Sequence, residues 1–232
     1  MFSTLTARSL SYLALGAQAH NRLNTALIDD IVAMMARCDW TCAICGIRIE
    51  GLMEVHHAGG HSLDGRGGMR PICQFCHDRD HLVWAAARKR VTLIHAPDLS
   101  HEDISRLAWA RVLHEGREGF ALDARRVARD LTARREDAFD ALGHDNLEAA
   151  IEALYAYRDA RGGDAAAEIG RTIDAHIRVA PTALLSEEPG LETWRRGGFR
   201  PLEEGWRDRA IPTGFPDYAT LAAAGASLRA RL

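Results

Sequence analysis

The sequence lacks the features that mark a membrane protein, a disulfide-rich protein or a protein that binds a polyanion over its whole surface. No apolar stretch approaches the roughly 20 residues that a transmembrane helix requires. Neither charge sign dominates, because 29 basic and 32 acidic residues give a net charge of −3. That balance argues against a protein whose whole surface binds a polyanion. The five cysteines are an odd number, which excludes a framework in which every cysteine forms a disulfide within the chain.

Length and composition indicate an ordinary folded protein. The 232 residues, 47% apolar and 26% charged, are enough for one large domain or two small ones. Residues 8–19 imitate a signal peptide, but their apolar part is short and is interrupted by Ser11 and Tyr12. Paired free cysteines suit a reducing compartment, so we expect a cytoplasmic protein.

The pattern of apolar residues predicts three parts and an α+β fold. Residues 1–99 combine a short strand and a helix that ends near Cys38 with a segment rich in Cys, His and Gly. Residues 100–181 show helical periodicity throughout, interrupted by glycine stop signals. Residues 182–232 form an irregular tail that holds four of the seven prolines and several large aromatics. Such a tail either wraps its own helical body or packs on a partner.

Four of the cysteines predict a structural zinc site. They form two C-x-x-C pairs, Cys42 with Cys45 and Cys73 with Cys76, and four thiolates close a tetrahedral site without leaving a position for water. A redox dithiol would need a βαβ context, which the sequence does not show. The remaining Cys38 lies at the end of an apolar helical stripe, where we expect it to be a small buried hydrophobe.

Five histidines are gathered around these pairs, namely His56, His57, His61, His77 and His81. The arrangement resembles the HNH family, which has a ββα-metal fold often braced by a four-cysteine zinc. The resemblance implies that His57 is the general base for water attacking a phosphodiester. It also implies that His56, His77 and His81 bind a second divalent ion. The family's orienting Asn has no counterpart, since Gly68 stands near its expected position. A metal-dependent HNH endonuclease cleaving DNA and an inert HNH-like scaffold therefore both stay open.

A longer resemblance extends beyond the zinc segment, over roughly residues 10–200. The most specific part is the segment Thr-Leu-Ile-x-x-Pro-Asp-Leu-Ser at 92–100. The other matching segments are 36–46, 55–61, 73–76, 104–113 and 177–181. In these segments and their spacing the chain resembles the IcmJ/DotN family of type IVB secretion systems.

This second resemblance implies a non-enzymatic subunit of a coupling complex, with zinc on the four paired cysteines. The partners implied are the C-terminal extension of a DotL-like coupling ATPase and IcmS/IcmW-type adaptors that recruit effector proteins. The protein would then be cytoplasmic and associated with the inner membrane through its partners, with no small-molecule substrate. Trp194, Phe199 and Trp206 lie among glycines and prolines of the tail, and we expect them to anchor a partner.

Overall fold

The computed structural model describes residues 27–57, 68–114, 124–144, 146–186, 188, 192 and 194. Within these residues helices and strands mix, in agreement with the predicted α+β class. The helices are α1 (Ile28–Arg37), α2 (Gln74–Asp80), α3 (Leu82–Ala87), α4 (His101–His114), α5 (Ala124–Leu142), α6 (Leu147–Arg161), α7 (Gly163–His176) and α8 (Thr182–Leu185). The strands are β1 (Glu54–His57), β2 (Met69–Ile72), β3 (Val91–His95) and β4 (Ile177–Pro181). None of the described helices is both long and apolar enough to cross a membrane.

Helix α1 buries one side of a wide apolar stripe. Ile31, Met34 and Met35 are buried in the core, whereas Ile28 and Val32 are each 54% exposed. The chain turns sharply after the helix, and Cys38 follows on the outside, where it is exposed. The expectation of a buried Cys38 is therefore wrong, because the apolar stripe of α1 ends before this residue.

A small antiparallel hairpin leads directly into helix α2. Strands β1 and β2 pair with Glu54 opposite Ile72 and His57 opposite Met69. Cys73, in extended backbone conformation, precedes the first residue of α2. Because side chains alternate along a strand, residues 54 and 56 share one face of β1, and residues 55 and 57 share the other. This order brings the end of β1 close to the first turns of α2.

Strands β3 and β4 pair although residues 96–176 separate them in the chain. Their antiparallel register places Val91 opposite Pro181, Leu93 opposite Val179 and His95 opposite Ile177. The helical prediction is wrong for residues 177–181, where α7 ends at His176 and the chain continues as β4. Alternating Ile, Val and Ala with a terminal Pro suits a short strand, and the pairing with β3 outweighs the helical spacing.

Several helix ends within residues 101–176 have the capping residues that the sequence marks. The Ser100 hydroxyl accepts a hydrogen bond from the Asp103 amide at 3.1 Å and lies 2.6 Å from the Asp103 carboxylate, as in a capping box. Asn146 caps α6 by accepting a hydrogen bond from the Ala149 amide at 2.8 Å. Gly143 and Gly162 follow α5 and α6 with positive φ angles, which a glycine adopts without strain.

The core joins the predicted parts rather than separating them at residue 99. One buried cluster unites α1, the segment that carries the four paired cysteines, α4 and Trp194. A second unites α3 and the β3–β4 ribbon with α5 and α6. The loop after β3 is also fastened to the helical body. There, Arg134 donates two hydrogen bonds to Asp98, and Arg178 donates one to the Leu99 carbonyl at 2.6 Å. The strand expected near the N-terminus lies outside the described residues.

The β3–β4 ribbon should be a main source of stability. Leu93 is fully buried, so Leu93→Ala should lower the free energy of unfolding by about 2–5 kcal/mol through lost contacts and a cavity. Thr92→Ala, at the half-buried neighbouring position, is the control and should cost under about 1 kcal/mol. Chemical denaturation monitored by circular dichroism measures both. Equal effects of the two variants would contradict the burial pattern of the ribbon.

Candidate metal centre

Two short turns present the four paired cysteines to one another. Cys42 and Cys45 lie in the turn after α1, which closes with hydrogen bonds from the Cys42 amide to Ile47 and from the Gly46 amide to Cys42. Gly46 has a φ of +76°, a conformation that strains other residues. Cys73 and Cys76 lie at the start of α2, one helical turn apart.

The four sulfurs have the arrangement of a tetrahedral metal site. All four cysteines are buried and free, and their Sγ atoms lie within 4.8 Å of one another. Sγ of Cys45 and Sγ of Cys73 are 3.6 Å apart. A zinc ion with bonds of about 2.3 Å to four sulfurs separates those sulfurs by about 3.8 Å. The residues therefore fit a closed zinc site, as the sequence predicted.

Electrostatics also call for a cation among these sulfurs. Burial raises the pKa of the Cys73 thiol well above its usual range, and contacts with Cys42 and Cys45 raise it further. Contacts with the same two residues raise the pKa of Cys76. Four thiolates cannot be held together in a buried space without a compensating charge, and a divalent metal ion supplies it.

Residues of helix α4 contact the cysteine site from outside, and no sequence pattern indicated them. The Ser105 hydroxyl lies 3.3 Å from Sγ of Cys76, so it can donate a hydrogen bond to a metal-bound thiolate. Arg106 donates a hydrogen bond to the Cys45 carbonyl at 2.9 Å. These contacts span 29 and 61 residues of sequence, and no local motif reports a pairing over such a distance.

Three of the predicted histidines form a second group, called here the histidine cluster (His56, His77 and His81). One ring nitrogen from each lies within 4.8 Å of the other two. His56 comes from β1, His77 from α2, and His81 from the residue after α2, whose amide donates to the His77 carbonyl. The rings of His77 and His81 have centroids 4.5 Å apart. The sequence-predicted ligands of a second metal are thus brought together.

Glu54 belongs to this group as well, although it is not among the residues predicted from the sequence. Its carboxylate contacts Nδ1 of His77. Burial opposes a charge on His77, but the hydrogen bond and the negative charge of Glu54 outweigh it and raise the pKa of His77. A signal was present in the sequence, since Glu54 precedes His56 by two residues and so shares its face of the strand.

His57 lies beside the cluster but is not one of its members. It is buried at the end of β1, on the strand face opposite His56 by alternation. Burial lowers the pKa of His57, and the neighbouring His77 lowers it further, so the neutral ring is favoured. Across the hairpin, Arg70 pairs with His56 in register and its Nη2 lies 3.5 Å from the Asp80 carboxylate.

Trp194 is part of the protein's own core. It is 1% exposed and its ring lies 5.0 Å from that of Trp109 and 5.4 Å from that of Phe75, between centroids. This placement favours the alternative that the tail begins by packing on its own body. The other two predicted anchors, Phe199 and Trp206, lie outside the described residues.

No family model matches the chain, and no curated protein matches it. The sites described above therefore depend on the geometry of this chain alone. The resemblance to the IcmJ/DotN family stays a prediction from the segments that carry it.

The cysteine site predicts a specific pattern of metal loss. Cys73→Ser should remove the tightly bound zinc and lower the melting temperature by roughly 10 °C, because three thiolates cannot close the site. Cys38→Ser is the matched control, since Cys38 is exposed and should leave zinc content and melting unchanged. Elemental analysis and a thermal melt measure both quantities. Zinc retained in Cys73→Ser, or lost in Cys38→Ser, would show that the ligand set is wrong.

Proposed function

We propose that the protein is a zinc-stabilised, non-enzymatic subunit of a type IVB secretion coupling complex. In this role it docks on the C-terminal extension of a DotL-like coupling ATPase and works with IcmS/IcmW-type adaptors in effector recruitment. The complex would lie at the cytoplasmic face of the inner membrane. The cysteine site then serves folding, within an HNH-like ββα module that has no catalytic task.

The observation that carries this proposal is the pairing of two segments that the family resemblance singles out. Residues 92–94 are paired with residues 178–180 in one antiparallel ribbon, although they are far apart in sequence. The remainder of the first segment is anchored to the helical body through Asp98 and Leu99. If these two segments resembled the family only by chance, they would not be expected to pair with each other. Their pairing therefore supports the proposal that this chain and the family share an architecture.

The closed cysteine site also suits a binding protein. Four thiolate ligands leave no position on the ion for water or substrate, so that zinc stabilises the fold without taking part in a reaction. The two strands of the hairpin are only four residues long each. Binding of zinc supplies free energy of folding that such a segment cannot draw from its own core.

A binding experiment tests the docking proposal. The purified, zinc-loaded protein should form a stable complex with the C-terminal extension of the coupling ATPase of the same organism, measured by gel filtration and calorimetry. Trp206→Ala combined with Phe199→Ala should weaken that complex at least about tenfold, because large aromatics of the tail are its expected anchors. Trp194 is left unchanged, since its replacement would damage the core.

The control removes an exposed apolar side chain elsewhere, as Ile169→Ala on α7, and should bind normally. Absence of a complex between the folded, zinc-loaded protein and the ATPase extension would overturn the proposal. An unchanged affinity in the double aromatic variant would place the docking surface outside the tail and contradict the predicted anchors.

The histidine cluster favours a second candidate function, a metal-dependent HNH endonuclease. Under it, His57 is the general base, and His56, His77 and His81 hold the divalent ion that stabilises the cleaved phosphodiester. The observation in favour is that these three histidines converge, which a purely structural module does not require. The module is poor in net positive charge, however, which disfavours tight DNA binding.

Cleavage of plasmid DNA separates the two candidates. If the protein is a docking subunit, plasmid incubated with magnesium, manganese, nickel or zinc stays intact at any reasonable excess of protein. Cleavage that is abolished by His57→Ala, in a variant that keeps its fold and its cysteine-bound zinc, would establish the nuclease and reject the non-enzymatic role. Cleavage that persists in His57→Ala would be attributed to a contaminant and would leave the docking proposal standing.

A further inference from the structure

We propose that a cavity between the β3–β4 ribbon and helix α5 binds a small carboxylate with an apolar body, such as a medium-chain fatty acid. The cavity shares no residue with the cysteine site or with the histidine cluster. The inference therefore concerns a separate ligand, and it is independent of both functions considered above.

The described residues line a cavity of about 500 Å³. Its walls come from the end of α3, the start of β3, one face of α5, the start of α6 and helix α8. The apolar part of the lining consists of Ala86, Val91, Phe139, Leu147 and Leu185. Volumes of roughly 300–1,000 Å³, with apolar side chains and a few placed polar groups, are typical of sites for small organic molecules. The cavity thus has the size and the apolar surface for an alkyl or aryl group.

The charged side chains of the lining favour a monoanion. Lys89 and Arg135 are both exposed and contribute two positive charges, against one negative charge from Glu148. Among the described residues none of these three side chains has an ion-pair partner. Arg135 is placed on the cavity wall by Phe139, since its guanidinium lies 5.6 Å from the centroid of that ring. A single carboxylate would neutralise the excess positive charge, and both cations can donate charge-assisted hydrogen bonds to it.

Lys89 occupies a backbone position that normally selects glycine. It follows the C-cap of α3, and its amide donates a hydrogen bond to the Ala86 carbonyl at 2.8 Å. The next amide, that of Arg90, donates to the Ala85 carbonyl at 3.0 Å. These two hydrogen bonds form a Schellman motif, and Lys89 has the left-handed φ of +54° that the motif requires.

The choice of lysine at this position supports a role for its side chain. Glycine adopts a left-handed φ without strain, whereas a residue with a Cβ does not. Lys89 is also the only lysine among the 29 lysine and arginine residues of the chain. Its side chain is exposed, so packing in the core does not explain the strain. A strained residue at the edge of a cavity is the kind of observation from which a binding role is inferred.

Hydrogen bonds fix the wall around Lys89 and leave few donors for a peptide. The Thr182 hydroxyl donates to the carbonyls of Lys89 and Arg90, at 3.2 and 3.0 Å. The Thr132 hydroxyl donates from α5 to the Leu185 carbonyl at 3.3 Å. Because both hydroxyl protons are engaged, neither is free for the carbonyls of a bound peptide. This favours a free apolar acid over the C-terminal residue of a polypeptide, which carries the same carboxylate.

Titration of the full-length, zinc-loaded protein with decanoate tests the inference. Calorimetry below the micelle concentration of the acid should show one decanoate per chain. Decan-1-ol has the chain without the charge, and acetate has the charge without the chain, so each should bind at least about tenfold more weakly. N-acetyl-leucine presents the carboxylate of a peptide end, and it should also bind more weakly than decanoate.

Substitution of the two cations separates binding from folding. Lys89→Gly should weaken decanoate binding at least about tenfold, because it removes a charged donor. The same variant should not lower the melting temperature, because glycine suits the end of α3. Lys89→Arg should retain binding, and Arg135→Gln should weaken it. Arg129→Gln is the matched control, since Arg129 is an exposed arginine of α5 outside the cavity lining, and it should bind normally.

Each outcome bears on the cavity itself. Absence of decanoate binding, several acids bound per chain, or equal affinity for decanoate and decan-1-ol would overturn the inference. Undiminished binding by both Lys89→Gly and Arg135→Gln would overturn it as well. Tighter binding of N-acetyl-leucine than of decanoate would reject the free acid and assign the cavity to the end of a polypeptide. Binding to the ATPase extension is measured separately, so failure of the cavity is distinguishable from failure of the docking proposal.

Discussion

The structure depends on the gathering of four buried sulfurs at one point. Cys42 and Cys45 approach from the turn after α1, and Cys73 and Cys76 approach from the start of α2. Burial and contact with the neighbouring sulfurs raise the pKa of the Cys73 thiol. Four buried thiolates at one point are favourable only with a divalent cation between them. The residues between the two pairs include the whole β1–β2 hairpin. An ion that binds both pairs would therefore hold the two ends of this segment together.

The metal site is coupled to the helical body through packing as well as polar contacts. Phe75 stands between Cys73 and Cys76 in the sequence. Its ring contacts Trp109 of α4 and Trp194. Ser105 and Arg106 of the same helix contact a sulfur and a carbonyl of the site. A loss of metal should therefore also loosen the core, because these contacts require α2 and the turn that carries Cys42 and Cys45 to keep their positions.

Local patterns predicted most of the fold, and long-range pairing accounts for what they missed. The C-x-x-C spacing identified the four cysteines that the structure brings together, and the cap at Ser100 and the stop at Gly162 located helix ends, because each signal lies within one or two turns of chain. Strand β4 escaped prediction because its pairing with β3 depends on residues more than 80 positions away. The partners Ser105 and Arg106 escaped for the same reason. Trp194 was expected at a surface because aromatic character alone does not distinguish an interface from a core.

Helix α2 connects the two metal-binding groups, and this sets an order of events. It carries Cys73 and Cys76 at its start, and then His77, with His81 one turn further on. Once zinc fixes the start of the helix, the directions of His77 and His81 follow from helical geometry, and only His56 and Glu54 must be supplied by the hairpin. The cysteine site thus uses no residue of the histidine cluster, whereas His77 of the cluster directly follows a cysteine of the site. A structural zinc on the four cysteines needs none of these histidines, so the convergence of His56, His77 and His81 is a feature that the cysteine site does not account for.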